Sequence, residues 1–445
     1  MKLRKFAFTA TALAAALAAS GAHAQATVDQ LQQALAQAQK AAADAQESAR
    51  QAMDALAKVQ AAKASQAQQQ VAQAPASPSA NTGDGLTWKS GPNSVTLYGL
   101  IDATVSNRTN SNTAGKSLTG FQDAWFSGNR WGLTGSHDLA NSNGLKVIFR
   151  LESEFNYRDG VNPDSPSLFN RDAWVGLESD SVGKLTFGRQ NTLARDFSQN
   201  YGDPYGTAAV TLGEGGWSNN NNFKQMIFYA GSASGTRYND GVVWKKKFGN
   251  VIAGLGYQFG GVAGDFSQGS TKSAALAYNG GMFNVSGFLN SANVAGLTHS
   301  SYSVGGNVQI SELVRLNAGY FGYRADQIAA ANGERKDNAF TVSAKFTPPG
   351  SFDYEVGYQS MRAKNAVVNA SGYVYNAFAN ASVSTGPAVT GNRNTLYGSV
   401  FYRYDKNTDF YAALDRLNTT GGYLAASANG FKTQTGIGAG LRFRF

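Results

Sequence analysis

From residue 94 to residue 445 the chain alternates in polarity with a period of two. In 146–156 one face reads Val147, Phe149, Leu151, Ser153 and Phe155, while the other reads Lys146, Ile148, Arg150, Glu152, Glu154 and Asn156. An apolar face opposite a charged face is the signature of a strand with different surroundings on its two sides. Fifteen further segments follow the pattern less cleanly: 94–105, 130–138, 169–178, 183–189, 237–246, 251–259, 273–278, 282–289, 302–310, 314–323, 339–346, 352–361, 394–404, 408–417 and 435–445. Clusters of Gly, Asn, Asp and Ser separate them. A tilted strand of about 9–11 residues crosses a bilayer. In lipid an open sheet edge is excluded, so sixteen such strands must close on themselves. The connections tend to alternate short (139–143, 247–250) and long (106–129, 190–236, 362–393), as in an outer-membrane barrel. The last strand places Leu441, Phe443 and Phe445 on one face and Arg442 and Arg444 on the other. That suits a lipid-facing strand with arginines turned to the lumen or interface.

The amino terminus fits this reading. Lys2, Arg4 and Lys5 precede an apolar run over 6–19, and Ala22-His23-Ala24 is a cleavage signal, so 1–24 is expected to be a signal peptide. Of the net +9, the leader holds three charges and 25–80 sums to zero, which leaves +6 for the barrel region. With no Cys, disulfides and thiolate chemistry are excluded. The mature barrel contains only His137 and His299, expected near a periplasmic turn and in an extracellular loop. They are not expected to share a site as bases. No enzyme, cofactor or metal site is therefore expected.

Residues 25–74 are rich in Ala and Gln. A heptad frame puts apolar residues at ten of the twelve a and d positions between Val28 and Gln66. This predicts an α-helical coiled coil in the periplasm, as a spacer, a peptidoglycan contact or an assembly domain. Residues 75–93 carry Pro75, Pro78 and Pro92 and read as a linker. The predicted fold is an all-β transmembrane barrel of sixteen antiparallel strands over 94–445, preceded by that helix.

The stretches SVTLYGLIDATV (94–105), NRWGLTGSHDL (129–139), GLKVIFRLESEFN (144–156), LFNRDAWVGLES (168–179), GKLTFGRQ (183–190), DPYG (203–206) and GLRFRF (440–445) resemble the trimeric general porins of Gram-negative bacteria, particularly the β-proteobacterial type. The resemblance implies a homotrimer in the outer membrane, each barrel with its own pore and a third loop, about 190–236, folded inward to narrow it. It places a wall of arginines opposite acids on that loop. Residue by residue this selects Arg130, Arg171 and Arg237, then Arg150 and Arg189, facing Asp196, Asp203 and Glu214. Arginine suits the task because it stays charged and pairs bidentately with carboxylate or phosphate. Leu441, Phe443 and Phe445 would be the C-terminal assembly signal. Implied partners are outer-membrane lipids, lipopolysaccharide and small anionic solutes, with no nucleic acid. The helical extension departs from general porins and is similar to that of some sugar-specific or dicarboxylate-associated porins. A channel specific for organic acids, dicarboxylates or aromatic acids, is the alternative. Tyr98, Trp131, Trp174, Tyr278, Tyr323, Tyr404 and Tyr411 are expected as interface anchors. The run Lys245-Lys246-Lys247 reads as a solvated periplasmic turn. A short turn of structure is expected around 224–230.

Overall fold

A computed structural model describes residues 47, 85–163, 167–202, 204–214, 230–367, 386–423 and 429–445. Of the first 84 residues only Glu47 is described, in a helical conformation. The signal peptide, the coiled coil and Asp203 thus lie outside the described residues, as do 224–229.

Among the described residues, eighteen strands follow one another. They are β1 (Leu86–Ser90), β2 (Asn93–Arg108), β3 (Leu118–Asp123), β4 (Arg130–Asp138), β5 (Lys146–Glu154), β6 (Asp172–Ser179), β7 (Gly183–Asn191), β8 (Arg237–Phe248) and β9 (Val251–Gln258). The second half contains β10 (Thr271–Asn279), β11 (Phe283–Val294), β12 (Leu297–Gln309), β13 (Val314–Ala325), β14 (Arg335–Phe346), β15 (Phe352–Val367), β16 (Ala388–Arg403), β17 (Thr408–Gly421) and β18 (Thr433–Arg444). One helix, α1 (Leu193–Gly202), interrupts the connection from β7 to β8.

Sixteen of the strands form a closed antiparallel ring. From β4 to β18 each pairs with the next, and β18 returns to β2, which pairs with β4. Closure is sealed at the carboxyl terminus, where Gly99 and Phe445 exchange backbone hydrogen bonds of 2.8 and 3.1 Å. No strand edge remains in the ring, as the bilayer requires.

Every sequence segment falls on one ring strand, and several of the strands run longer. The segments 352–361 and 408–417 extend to Val367 and Gly421. These extensions adjoin the longer connections. Pairing continues there while the apolar alternation fades. Two strands had no alternation to read. β1, in the stretch read as linker, pairs with Asn93–Leu97 of β2, below the end of β18. β3 pairs with Ala103–Arg108, while β4 pairs with Asn93–Leu100, so one wall position is filled by two pieces. The break between them turns Trp125 and Phe126 inward. The Asp102 carboxylate accepts the Phe126 and Ser127 N–H groups at 3.0 and 2.8 Å.

Side chains follow the pleat. On β14, Phe340 and Val342 face out and Ala339 and Thr341 face in. The aromatic assignment needs correction on these grounds. Trp131, Tyr278 and Tyr404 are exposed outward, but Tyr98, Trp174, Tyr323 and Tyr411 are buried on the lumen side. Tyr98 donates to Glu152 at 2.9 Å, and Tyr411 donates to Asp102. The parity of Tyr98 with Asp102 and Thr104 already carried that information. His299 is likewise a wall residue of β12, not a loop residue, and its Nδ1 lies 2.7 Å from the Tyr323 hydroxyl. His137, at the end of β4, bonds Asn93.

Candidate pore constriction

The connection from β7 to β8 crosses the lumen, and its descent is fixed by helix α1. All ten residues of α1 are buried. Leu193, Phe197 and Tyr201 pack against the inner wall with Ile252, Phe288 and Phe321. The wall makes room through two glycines. A Cβ on Gly305 or Gly319 would stand 2.5 or 2.2 Å from the Tyr201 ring. The Tyr201 hydroxyl donates to Ser303 at 2.7 Å, and the Ser286 hydroxyl donates to the Phe197 carbonyl at 2.6 Å. Burying each large side chain contributes about 1.5–3 kcal/mol. Beyond α1 the loop is pinned again. Tyr205 stacks on Phe401 with centroids 3.7 Å apart, beneath Lys345 and Arg442. Arg315 donates to the carbonyls of Pro204 and Gly206 at 2.5 and 3.0 Å.

Between this loop and strands β4 to β8 lies a charged cluster. Arg150, on the inward face of β5, is its hub. Its guanidinium lies 2.5 Å from Glu152, 3.1 Å from Asp172 and 3.7 Å from Glu214 of the loop. It also stands over the Tyr98 ring at 5.0 Å. Arg171 pairs with both Glu152 and Glu154, and Arg130 lies 3.9 Å from Glu152. Arg237 pairs with Asp172 at 3.2 Å. Four of the five expected arginines therefore meet through two shared carboxylates. Arg189 stands apart: it donates to the Asn170 carbonyl and to Asn239, which braces the base of the loop. Of the expected loop acids, Glu214 joins the cluster. Asp196 pairs instead with Lys245 at 2.9 Å.

The sequence ranking of the arginines changes. Arg130, Arg171 and Arg237 are almost fully buried, whereas the Arg150 side chain is 21% exposed. Arg171 escapes the parity argument because it precedes β6 and is not constrained by the pleat. Three cations were missed. Lys245 faces inward, two residues from inward Val243, and also donates to the Gly213 carbonyl at 2.9 Å. It is not part of a solvated turn. Lys184 lies 4.0 Å from Glu214 and 4.4 Å above the Trp174 ring. Arg195 enters on α1, where burial and the nearby Arg237 and Arg171 guanidiniums hold it well below the usual arginine range.

Seven cations (Arg130, Arg150, Arg171, Lys184, Arg195, Arg237, Lys245) thus meet five carboxylates (Glu152, Glu154, Asp172, Asp196, Glu214). With all ionised the surplus is two positive charges. Glu214 shifts that balance: burial, reinforced by Asp172 and opposed by Arg150 and Lys184, pushes its carboxyl up to about 8. At pH 7 it is mostly protonated, which adds one positive charge to the surplus. Raising the pH through 8 ionises it and removes one positive charge of the surplus. A unit charge about 10 Å from a passing ion in water is worth about 0.4 kcal/mol. The permeability of anions relative to cations is therefore expected to fall about twofold between pH 7 and pH 9.5. Reversal potentials across a salt gradient read this, and Glu214→Gln is expected to reduce the change.

A closed sixteen-stranded barrel with an inward loop and a charged cluster beside it is the architecture of a bacterial outer-membrane barrel. The chain belongs to the Gram-negative porin family, whose model matches residues 9–422. An outer membrane porin protein of Bordetella pertussis is 27% identical over 278 residues, 59% of this chain. The match spans about 61% of that curated relative's length. Among solved structures, the anion-selective porin from Comamonas acidovorans superposes with a TM-score of 0.59 at 22% identity, covering 79% of this chain and all of that one. The trimer form of OmpT from Vibrio cholerae gives 0.52 at 15% identity, covering 79% of this chain and 99% of that one. At these identities the two structures support the shared barrel fold.

Proposed function

We propose that the protein forms a water-filled channel in the outer membrane, as a homotrimer, through which small hydrophilic solutes diffuse and anions pass in preference to cations. The observation that carries this is Arg150, a partly exposed side chain at the centre of a cluster with surplus positive charge. A charged lining between low-dielectric walls focuses its field on the lumen and raises the local concentration of counter-ions. The +6 of residues 81–445 acts in the same sense. The Comamonas neighbour is named anion-selective, and the Vibrio neighbour was solved as a trimer. Conductance and reversal potential of purified protein in planar bilayers test the proposal.

A second reading is a channel specific for organic acids. It is favoured by the buried helix α1, which fills lumen space along β9 to β13. It is also favoured by a guanidinium able to hold a carboxylate bidentately. In the same bilayers, saturable block by one dicarboxylate or aromatic acid would single it out. Proportional conductance for all of them would leave general diffusion.

A further inference from the structure

The lumen carries a second charged group that takes no part in the cluster around Arg150. It follows one cross-strand row. Tyr397 of β16 is directly across from Asp415 of β17, Asp415 from Gly436 of β18, and Gly436 from Arg108 of β2. All four belong to the inward face. Asp415 alternates with buried Tyr411 and Leu417, and Arg108 alternates with buried Asp102, Thr104 and Ser106. The row is remote from the constriction. Arg108 stands eight residues along β2 from Leu100, the partner of Arg130, which is roughly 26 Å. It lies on the side of the long connections, which is the extracellular mouth of an outer-membrane barrel.

Asp415 and Arg108 form a split pair. Two steps across the row put their backbones about 10 Å apart. The residue between them is a glycine, so no side chain rises from the wall there. Trp125 floors the gap, since a Cβ on Gly436 would stand 3.2 Å from its ring. Arg108 is held to its own side. Its guanidinium donates to the Gln122 amide oxygen at 2.9 Å, and the same oxygen accepts from the Ser106 hydroxyl at 3.2 Å. Among the described residues no hydrogen bond or ion pair reaches the Asp415 carboxylate, and no carboxylate pairs with Arg108. The cations whose field Asp415 feels are Arg108 and Arg393. Asp415 is half-buried. A carboxylate withdrawn from water without a donor is costly, and a cation carried in by a solute would offset that cost.

We infer that this row is a binding site for a small zwitterion, an α-amino acid, with its ammonium on Asp415 and its carboxylate on the Arg108 guanidinium. An ammonium donates to a carboxylate, and a guanidinium fork holds a carboxylate bidentately. Both charges are needed on one solute. A simple cation meets the repulsion of Arg108 and Arg393, and a simple anion meets that of Asp415. The gap of two strands sets the size. The cluster around Arg150 offers no equivalent, because each of its carboxylates already pairs with a cation. The inference rests on a lumen open to solvent, as in the channel proposed above, and not on any preference among ions.

The test uses full-length protein in detergent and saturation-transfer NMR, which reads binding without requiring conduction. Three solutes are titrated: L-alanine, N-acetyl-L-alanine, which lacks the ammonium, and L-alaninamide, which lacks the carboxylate. The wild type is expected to bind L-alanine about tenfold more tightly than either analogue, the worth of one hydrogen-bonded charge. Asp415→Asn is expected to weaken L-alanine about tenfold and leave N-acetyl-L-alanine unchanged. Arg108→Gln is expected to weaken L-alanine to a similar extent and leave L-alaninamide unchanged. A role confined to folding would not give this crossed pattern. Equal binding of the three solutes to the wild type would overturn the inference, and that comparison needs no variant to fold. So would loss of all three solutes together in both variants. Conductance of the same wild-type protein in planar bilayers separates the two readings: a conducting channel with no L-alanine signal overturns the zwitterion site alone.

Discussion

Arg150→Gln is expected to lower the anion-over-cation permeability ratio about fivefold. The change removes the one cluster guanidinium with substantial exposure and leaves Glu152, Asp172 and Glu214 without their common partner. Two unit charges 4 Å apart in water interact by about 1 kcal/mol, and that difference sets the factor. Arg130→Gln should do less, although both substitutions remove one charge. Arg130 is buried, 3.9 Å from Glu152, and donates to the Gly128 carbonyl at 3.1 Å. Its work is to orient the carboxylate that Arg150 and Arg171 share. Reversal potentials in a tenfold salt gradient separate the two variants. An Arg130→Gln effect equal to or larger than that of Arg150→Gln would remove Arg150 from the centre of the site.

Gly319→Val is expected to raise single-channel conductance, because it expels Tyr201 from its seat and with it the carboxyl-terminal turn of α1. The barrel itself should persist. Gly319 is held in β13 by ladders to β12 and β14 that any residue can form. Tyr201→Ala should give the same conductance change from the opposite side of the contact. Deleting a buried aromatic of this size costs about 3–5 kcal/mol, here drawn from loop docking and not from barrel closure. Thermal unfolding should therefore develop an early, small transition, while heat-dissociation of the barrel is retained. If both variants conduct as the wild type does, α1 does not limit the pore.

The ring of strands was legible because the pleat gives each wall strand two different solvents. Lys146–Glu154 announces itself through Phe149 and Leu151 against Arg150 and Glu152. The same parity would have placed Tyr98, Trp174 and Lys245 in the lumen had aromatic and basic residues been read by position and not by type. Tyr98 alternates with Asp102, and Lys245 alternates with Val243. Helix α1 was not legible. Its sequence, LARDFSQNYG, carries an apolar stripe of Leu193, Phe197 and Tyr201 against Arg195, Asp196 and Gln199, but ten residues inside a long connection are too few turns to stand out from their surroundings. Arg195 was obscured with it, while Asp196 was selected as a loop acid but given the wrong partner, since it pairs with Lys245. β3 escaped because Ala124–Asn129 interrupts the strand and breaks its periodicity. Arg171 shows the converse: its residue type identified it, while its parity pointed the wrong way because the strand starts one residue later.

In the proposed channel, positive charge governs passage. Purified wild-type protein in a planar bilayer, at pH 7 with a tenfold gradient of potassium chloride, measures this directly. Conductance in steps of three is expected, with a reversal potential displaced toward the chloride equilibrium value. A reversal potential displaced toward the potassium value would contradict it.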